Sequence, residues 1–402
     1  MADVRSEEEH RIEDSENLEA IISLLPFIKE ASQAVREILL ANLVMIGEIP
    51  APTFAEDRRL EFIQNRFVES GLHNASADEM GNALGILLGS EGERNILLVA
   101  HADTVHPASV DHTITLHPQS ATGPGVGDNA LGVAVVVTLP TLLELLDIDL
   151  RSNLVLMGAS RSLGRGDLEG LRFFLSNSEI PISAGVVIEG FPLGNLSYDS
   201  LGMFRGEIRC TVPEEYDWTR FGAVGAIVTM NDVINRILEI PLPRRPRATI
   251  VLGSLAGGQA YDTIATSATL RFEIRTESEQ IAGEIYHQMQ DIVSEVSSQT
   301  GAEVSLDIFA RRRPGGISFQ HPLARAARRI MRALDVQPRK SPSTADLSAF
   351  IDHRIPAITI GITHGELQNE PGEQVMIEPI FTGLAQLIGI LLAIDRGLCS
   401  EN

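Results

Sequence analysis

The apolar run NILLVA leads directly into His101-Ala102-Asp103 of the segment HADTV. A histidine at the C-terminal end of a buried parallel strand stands where ligands bind in open α/β sheets. Side chains two residues apart on an extended chain share a side, so Asp103 is placed to hold the imidazole and fix its tautomer. Taken alone, His-x-Asp serves a structural pairing as readily as a ligand. Asp128 follows the glycine-rich GPGVG and opens the apolar stretch ALGVAVVV. Glycines allow a sharp turn and close backbone approach there, and a carboxylate in such surroundings is costly unless paired or bound to a cation. Glu189 ends a third apolar run, AGVVIE. One imidazole and two carboxylates, His101, Asp128 and Glu189, form an ordinary zinc shell with room for water. The same groups also fit a hydrogen-bonded polar cluster without metal. The expected cofactor is therefore one zinc ion or none.

The elements that must carry these residues show two textures. Residues 17–46 have helical period, and a second amphipathic helix follows the turn in PAPTFAED. From Ala83 onward, ALGILLG, NILLVAHAD, LVLMGAS and AGVVIEG are short runs apolar on both faces, separated by helical stretches. They indicate an α/β fold with a mostly parallel sheet flanked by helices. From about Gly202, GMFRGEIRCTV and ATLRFEIRTES alternate apolar and polar residues, as half-buried antiparallel strands do. With the helices GAIVTMNDVINRILEI and EQIAGEIYHQMQDIVSEVSSQ and the strand VSLDIFARR, they form an inserted α+β domain. The expected division is an acidic, frayed tail over 1–15, an α/β domain over 16–203 and 318–402, and an insertion over 204–317.

The formal net charge of −22, from 32 basic and 54 acidic residues, excludes a general nucleic-acid partner and docking on anionic membranes. The polar N-terminus is unlike a secretory signal, and no run of about 18 apolar residues stands out as a membrane span. Cys210 and Cys399 lie far apart without a CxxC, which fits a reducing compartment and no cysteine-based metal site. The expected location is cytoplasmic. His106, His112, His117 and His321 read as solvated loop residues, and the basic stretches at 241–247 and 310–313 as solvated faces.

The order and spacing of EIPAPTFAED, HADTV, GVGDNALGV, GDLEGLRFF, VVIEG, FGAVGAI, GSLAGGQAYDTIATSA and RIPAITIGI resemble the di-zinc exopeptidases, which include glutamate carboxypeptidases, tripeptidases and aminoacylases. The resemblance spans nearly the whole chain. It implies a catalytic domain interrupted by a lid or dimerisation domain, and hence a homodimer. It implies that His101 binds one zinc with Asp103 orienting it, that Asp128 bridges two zincs, and that Glu189 completes the shell of the first. Arg275 matches a position that can grip a substrate carboxylate, in a ligand such as a small peptide or N-acyl amino acid.

The pattern then breaks. Where the family carries a Glu-Glu pair, whose members are the general base and a ligand of the second zinc, LVLMGASRSLGRGDLEG places Ser162 and Leu163, or Arg161 and Ser162 in the neighbouring register. Asp167 and Glu169 belong to the GDLEG match and face elsewhere in that register. The second zinc's histidine corresponds to Asn369, with His364 nearby as a conceivable substitute. The lid histidine falls at Tyr216, and the lid asparagine at Asp262. The expected protein is a homologue with a defective di-zinc site, weakly active or inactive, acting as a ligand-binding or scaffolding dimer. The alternative is an active hydrolase that uses the single remaining site with a rearranged base such as Asp103 or Glu373. A purely structural protein is a third reading.

Overall fold

The computed structural model describes residues 18–212, 224–343 and 346–400. The acidic tail over 1–15 and Tyr216 lie outside the described residues. The chain forms two compact units, 1–199 with 316–402, and 200–315. In chain order the first unit begins with helix α1 (residues 18–31), a 3-10 turn at Ser32–Val35, α2 (Arg36–Gly47) and α3 (Asp57–Glu69). Strands β1 (His73–Ala77), β2 (Ala83–Leu87) and β3 (Asn95–His101) follow, then α4 (Leu131–Leu145), β4 (Asn153–Ala159), α5 (Glu169–Asn177), β5 (Ile182–Glu189) and β6 (Asn195–Ser197). The second unit holds β7 (Gly202–Thr211), α6 (Ala226–Leu238), β8 (Ala248–Gly257), β9 (Ser267–Thr276), α7 (Glu279–Thr300) and β10 (Glu303–Arg312). The chain returns to the first unit with α8 (Pro322–Ala333), β11 (Arg339–Lys340), α9 (Leu347–Asp352), β12 (Ala357–Gly361) and α10 (Glu378–Asp395).

The large sheet of the first unit has eight strands, ordered β1-β2-β4-β3-β5-β12-β6-β11, and a smaller four-stranded sheet is formed by residues 115–116, 120–122, 365–366 and 374–376. The central strands β4, β3, β5 and β12 run parallel, and every residue of β3 is buried. This is the sandwiched position that the doubly apolar runs require. ALGILLG departs from that pattern, since β2 is antiparallel to both β1 and β4. A tight turn suffices to reverse an antiparallel pair. Asp78 makes that turn, its Oδ1 accepting from the Met80 and Asn82 amides at 3.0 Å each. Strand β1, HNASA, is largely exposed and too polar to stand out in the sequence. The segments Val126–Leu145 and Glu378–Asp395 reach the length and apolarity of a membrane span, yet 89% of each lies buried within the fold. A helix apolar all round is buried in a core, which accounts for both.

The second unit is an antiparallel sheet, β8-β9-β7-β10, with α6 and α7 packed on one face. Alternate residues of β9, from Ala268 through Leu270, Phe272 and Ile274, join that core. Strand β8 leaves little mark in the sequence, because most of its residues past Ala248 are exposed and it shows only a weak alternation.

A buried arginine ties the helical layer to the end of β3. Arg59 of α3 is 1% exposed. Its Nε and Nη2 donate to the Ile49 carbonyl, and its Nη1 donates at 3.0 Å to the carbonyl of Ala102, the residue between His101 and Asp103. Burial pushes the Arg59 pKa down to about 10, against the pull of Asp103 and Glu56. Replacing Arg59 by Met leaves these carbonyls without their donor, and each unsatisfied buried group costs about 1–3 kcal/mol. Urea unfolding of Arg59→Met is expected to show a loss of about 3 kcal/mol or more; an unchanged midpoint would contradict the clamp.

Candidate metal centre

His101, Asp128 and Glu189 converge, each contributing one ligand atom, with all three atoms within 4.8 Å of one another. Strands β3 and β5 deliver His101 and Glu189 from their C-terminal ends. Asp128 lies in the turn before α4 and is joined to Asn129 by a cis peptide. Asn129 pins this turn to β5, donating to the Ile188 carbonyl at 2.8 Å and accepting from the Gly190 amide at 3.0 Å. The approach is close enough that a Cβ on Gly127 would sit 2.2 Å from the Phe191 ring, and one on Gly190 would sit 2.2 Å from the Gly127 carbonyl. Both positions therefore require glycine.

Nδ1 of His101 lies 3.0 Å from the Asp103 carbonyl and 3.5 Å from Asp103 Oδ1. A carbonyl only accepts, so Nδ1 carries the proton. The orienting contact of Asp103 is thus its backbone, reinforced by its carboxylate. Oδ2 of Asp103 accepts from Thr53 Oγ1 and the Leu163 amide, both at 2.8 Å. Nε2 of His101 faces Asp128 Oδ1 at 3.0 Å and Glu189 Oε2 at 3.8 Å. Three acceptor atoms thus meet at a point that only a proton or a cation can satisfy.

The titration behaviour follows from this crowding. Burial works against a charged imidazole, but Asp103, Asp128 and Glu189 outweigh it and hold the His101 pKa well above its ordinary value. Burial likewise opposes ionisation of Asp128, and the hydrogen bonds from His101 and Gln368 hold its carboxyl below the usual range. Glu189 is pushed up to about 8 by burial, with His101 opposing and Asp128 and Asp346 adding to the rise.

Two further residues complete the arrangement. Gln368 Nε2 donates at 2.7 Å to Asp128 Oδ2, the oxygen that does not face His101. Glu373 is fully buried, and its Oε1 accepts from the Gly127 and Asp128 amides at 2.8 Å each. Burial and the neighbouring Asp128 push the Glu373 carboxyl up to about 7. With Oε2 accepting from the Asn369 amide, Glu373 shapes the turn that carries Asp128. No local motif marks Gln368 or Arg59 in the sequence; Asn129 could have been suspected from its place beside Asp128.

The segment expected to correspond to the family's Glu-Glu pair runs beside Asp103. Ser162 is buried, and its Oγ has no hydrogen-bond partner among the described residues. Leu163 contributes its amide to Asp103. Arg161 pairs with Glu169 at 3.1 Å, and Asp167 pairs with Arg172 at 3.3 Å. His364 is exposed and is not part of the three-residue group. Three histidines expected in solvent are buried instead. His112 Nε2 folds back on the Pro107 carbonyl, His106 sits in the turn held by Thr104 Oγ1, and His321 Nδ1 accepts from the Leu323 amide at the start of α8. His117 and most of 241–247 are exposed, whereas Arg312 is buried and Arg311 lies over the rings of Phe204 and Tyr286.

In the second unit, Asp262 is exposed in a loop. Arg275 is held by Glu273 of its own strand at 2.6 Å, and Arg205 joins the same carboxylate. Its guanidinium is therefore already engaged by a carboxylate within the unit.

Residues 220–301 match the family model described as a peptidase dimerisation domain. No curated protein matches the chain in sequence. Among solved structures, a tripeptidase from Staphylococcus aureus subsp. aureus Mu50 is 18% identical with a TM-score of 0.71, over 90% of this chain and 99% of that one. The dipeptidase Dug1p from Saccharomyces cerevisiae is 13% identical with a TM-score of 0.77, over 92% and 98%. A dinuclear metal-binding peptidase of the M20 family from Bacillus subtilis is 16% identical with a TM-score of 0.61, over 90% and 99%. The fold is that of the M20 peptidases. The expected α/β architecture with a dimerisation domain and the resemblance to metal-dependent exopeptidases are both supported.

Burial opposes ionisation of Glu273, but Arg205 and Arg275 outweigh it and hold its carboxyl below the usual range. A lowered folded-state value gives stability that is present above the unfolded value and lost as pH falls through the folded one. Glu273→Gln is therefore expected to lower stability by about 1 kcal/mol at neutral pH. The difference should shrink as the medium is acidified below the ordinary Glu range. Thermal melts of both proteins across that range check the sign, and a gap that widens on acidification would refute it.

Proposed function

We propose that this chain is a metallopeptidase-like protein with one divalent-ion site, formed by His101, Asp128 and Glu189, and without the machinery for efficient peptide hydrolysis. One observation carries the proposal: Gln368 donates to Asp128 Oδ2, the oxygen a bridging carboxylate would offer a second ion. Ser162, Leu163 and Asn369 supply no carboxylate or imidazole to replace it. The donor set fits one zinc-class ion, since the Nε2 lone pair and two carboxylate oxygens already converge. It does not fit two.

A divalent ion bound there would polarise a carbonyl oxygen and make a bound water more acidic. The chain's own residues orient the site: Asp103 fixes the His101 tautomer, Glu373 shapes the Asp128 turn and Asn129 holds it against β5. No unengaged carboxylate stands at the Ser162–Leu163 segment to take a proton from water, and a positioned base is worth roughly 10²–10⁴-fold in rate. The proposed role is therefore binding of a small peptide or N-acyl amino acid, as a homodimer through the second unit. Among the described residues strand β8 pairs with β9 alone and forms an edge of the sheet, and Ile227, Val228 and Leu255 are exposed. Such an edge is a template for a second chain. A cytoplasmic location remains part of this reading.

A mononuclear hydrolase is the competing reading, favoured by the Glu373 carboxyl near 7, within the range of a general base. Its hydrogen bonds to the backbone argue for a positioning role instead. A panel of dipeptides and N-acyl amino acids assayed with added Zn²⁺, Mn²⁺ or Co²⁺ separates the two. The proposal expects little or no turnover by the native chain and a gain of about 10²-fold or more in the triple variant Ser162→Glu, Leu163→Glu, Asn369→His. Native metal-dependent turnover whose pH profile has a limb near 7 that disappears in Glu373→Gln, with metal binding retained, would establish the competing reading. For the interface, Val228→Asp is expected to shift light-scattering mass from dimer to monomer; a monomeric native chain would refute it.

A further inference from the structure

The first unit contains a cavity of about 540 Å³, bounded by Arg94, Ser183, His321, Arg354, Ala357 and Cys399 among others. It lies at the N-terminal ends of the strands. Ser183 and Ala184 belong to the start of β5, Ala357 opens β12 and Arg94 precedes β3. The metal residues sit at the opposite ends of β3 and β5. At about 3.3 Å per residue, β5 separates Ala184 from Glu189 by roughly 17 Å. This cavity is therefore a separate place in the fold.

Its lining is unusual for this protein. The chain carries a net charge of −22, yet the described residues that line the cavity include two arginines and a histidine and no carboxylate. Arg94 donates to the Asp395 carbonyl, which anchors it at the wall. The Arg354 guanidinium is exposed and makes no hydrogen bond or ion pair among the described residues. Arg354 also holds a left-handed φ of 58° just past the end of α9, a conformation glycine adopts at lower cost. The remaining wall mixes the apolar side chains of Ile317, Leu347, Ile351, Ile355 and Ile394 with the hydroxyls of Ser183, Ser318 and Ser400. A concavity of this size that sets a run of isoleucines beside charged and hydroxyl groups suits a small molecule with one apolar and one polar end.

We propose that this cavity is a binding site for a small amphipathic carboxylate, with its anionic end on Arg354 and Arg94 and its apolar body along the isoleucine wall. Arginine matches a carboxylate through two parallel N–H donors, and an apolar wall adds affinity in proportion to the surface it covers. The site is independent of the metal centre.

Calorimetric titration of the full chain with sodium octanoate tests this, with 1-octanol and inorganic phosphate as comparators. Octanoate is expected to bind saturably at one per chain and more tightly than either comparator. Arg354→Gln, a change at an exposed side chain, should weaken octanoate about tenfold or more while leaving the melting temperature unchanged. Binding should persist in His101→Ala. Equal affinity for octanol would overturn the role of the arginines, and equal affinity for phosphate that of the apolar wall. Absence of octanoate binding, or binding lost in His101→Ala and retained in Arg354→Gln, would overturn the site itself.

Discussion

The first unit is organised around the imidazole of His101. One of its nitrogens is committed to the Asp103 carbonyl, and the other points into two carboxylates. A buried array of this kind is costly unless positive charge resides in it, because desolvated carboxylates placed together repel. The surrounding structure holds the array in place. Arg59 grips the Ala102 carbonyl, Asn129 bridges the Asp128 turn to β5, and Glu373 accepts the amides of Gly127 and Asp128. Outer contacts of this type orient metal ligands and are as much a part of such a site as the ligands themselves.

Within that frame, two features favour a single ion. Asp128 has one oxygen facing the imidazole and the other receiving an amide from Gln368. A bridging carboxylate uses both oxygens for metals, so an amide donor on the second one competes with a second ion. The segment carrying Ser162 and Leu163 approaches Asp103 closely enough to donate a backbone hydrogen bond, and it brings a hydroxyl and an isobutyl group there. Folds of this type host many chemistries, and the residues at the site decide which one is available.

Much of this was legible in the sequence, for identifiable reasons. Doubly buried strands such as NILLVAH read as continuous apolar runs, so the parallel centre of the sheet and the residues at its C-terminal edge were visible. His101, Asp128 and Glu189 could be picked out because each ends a buried run or follows a glycine-rich turn. The edge strands were not visible in the same way. HNASA and the later part of ATIVLGSLAG lie open to solvent, so burial imposes no pattern on them. The histidines at 106, 112 and 321 were misjudged because their burial comes from local turns and a helix start, which polar neighbours in the sequence conceal. The grip of Gln368 on Asp128 links residues 240 positions apart and could not be read locally.

The most direct test is the stoichiometry of zinc on the intact chain, measured by native mass spectrometry of protein prepared without chelator and titrated with Zn²⁺. One ion per chain is expected, lost in His101→Ala and retained in Asn369→Ala. Two ions per chain at saturation, or none at any concentration, would contradict it.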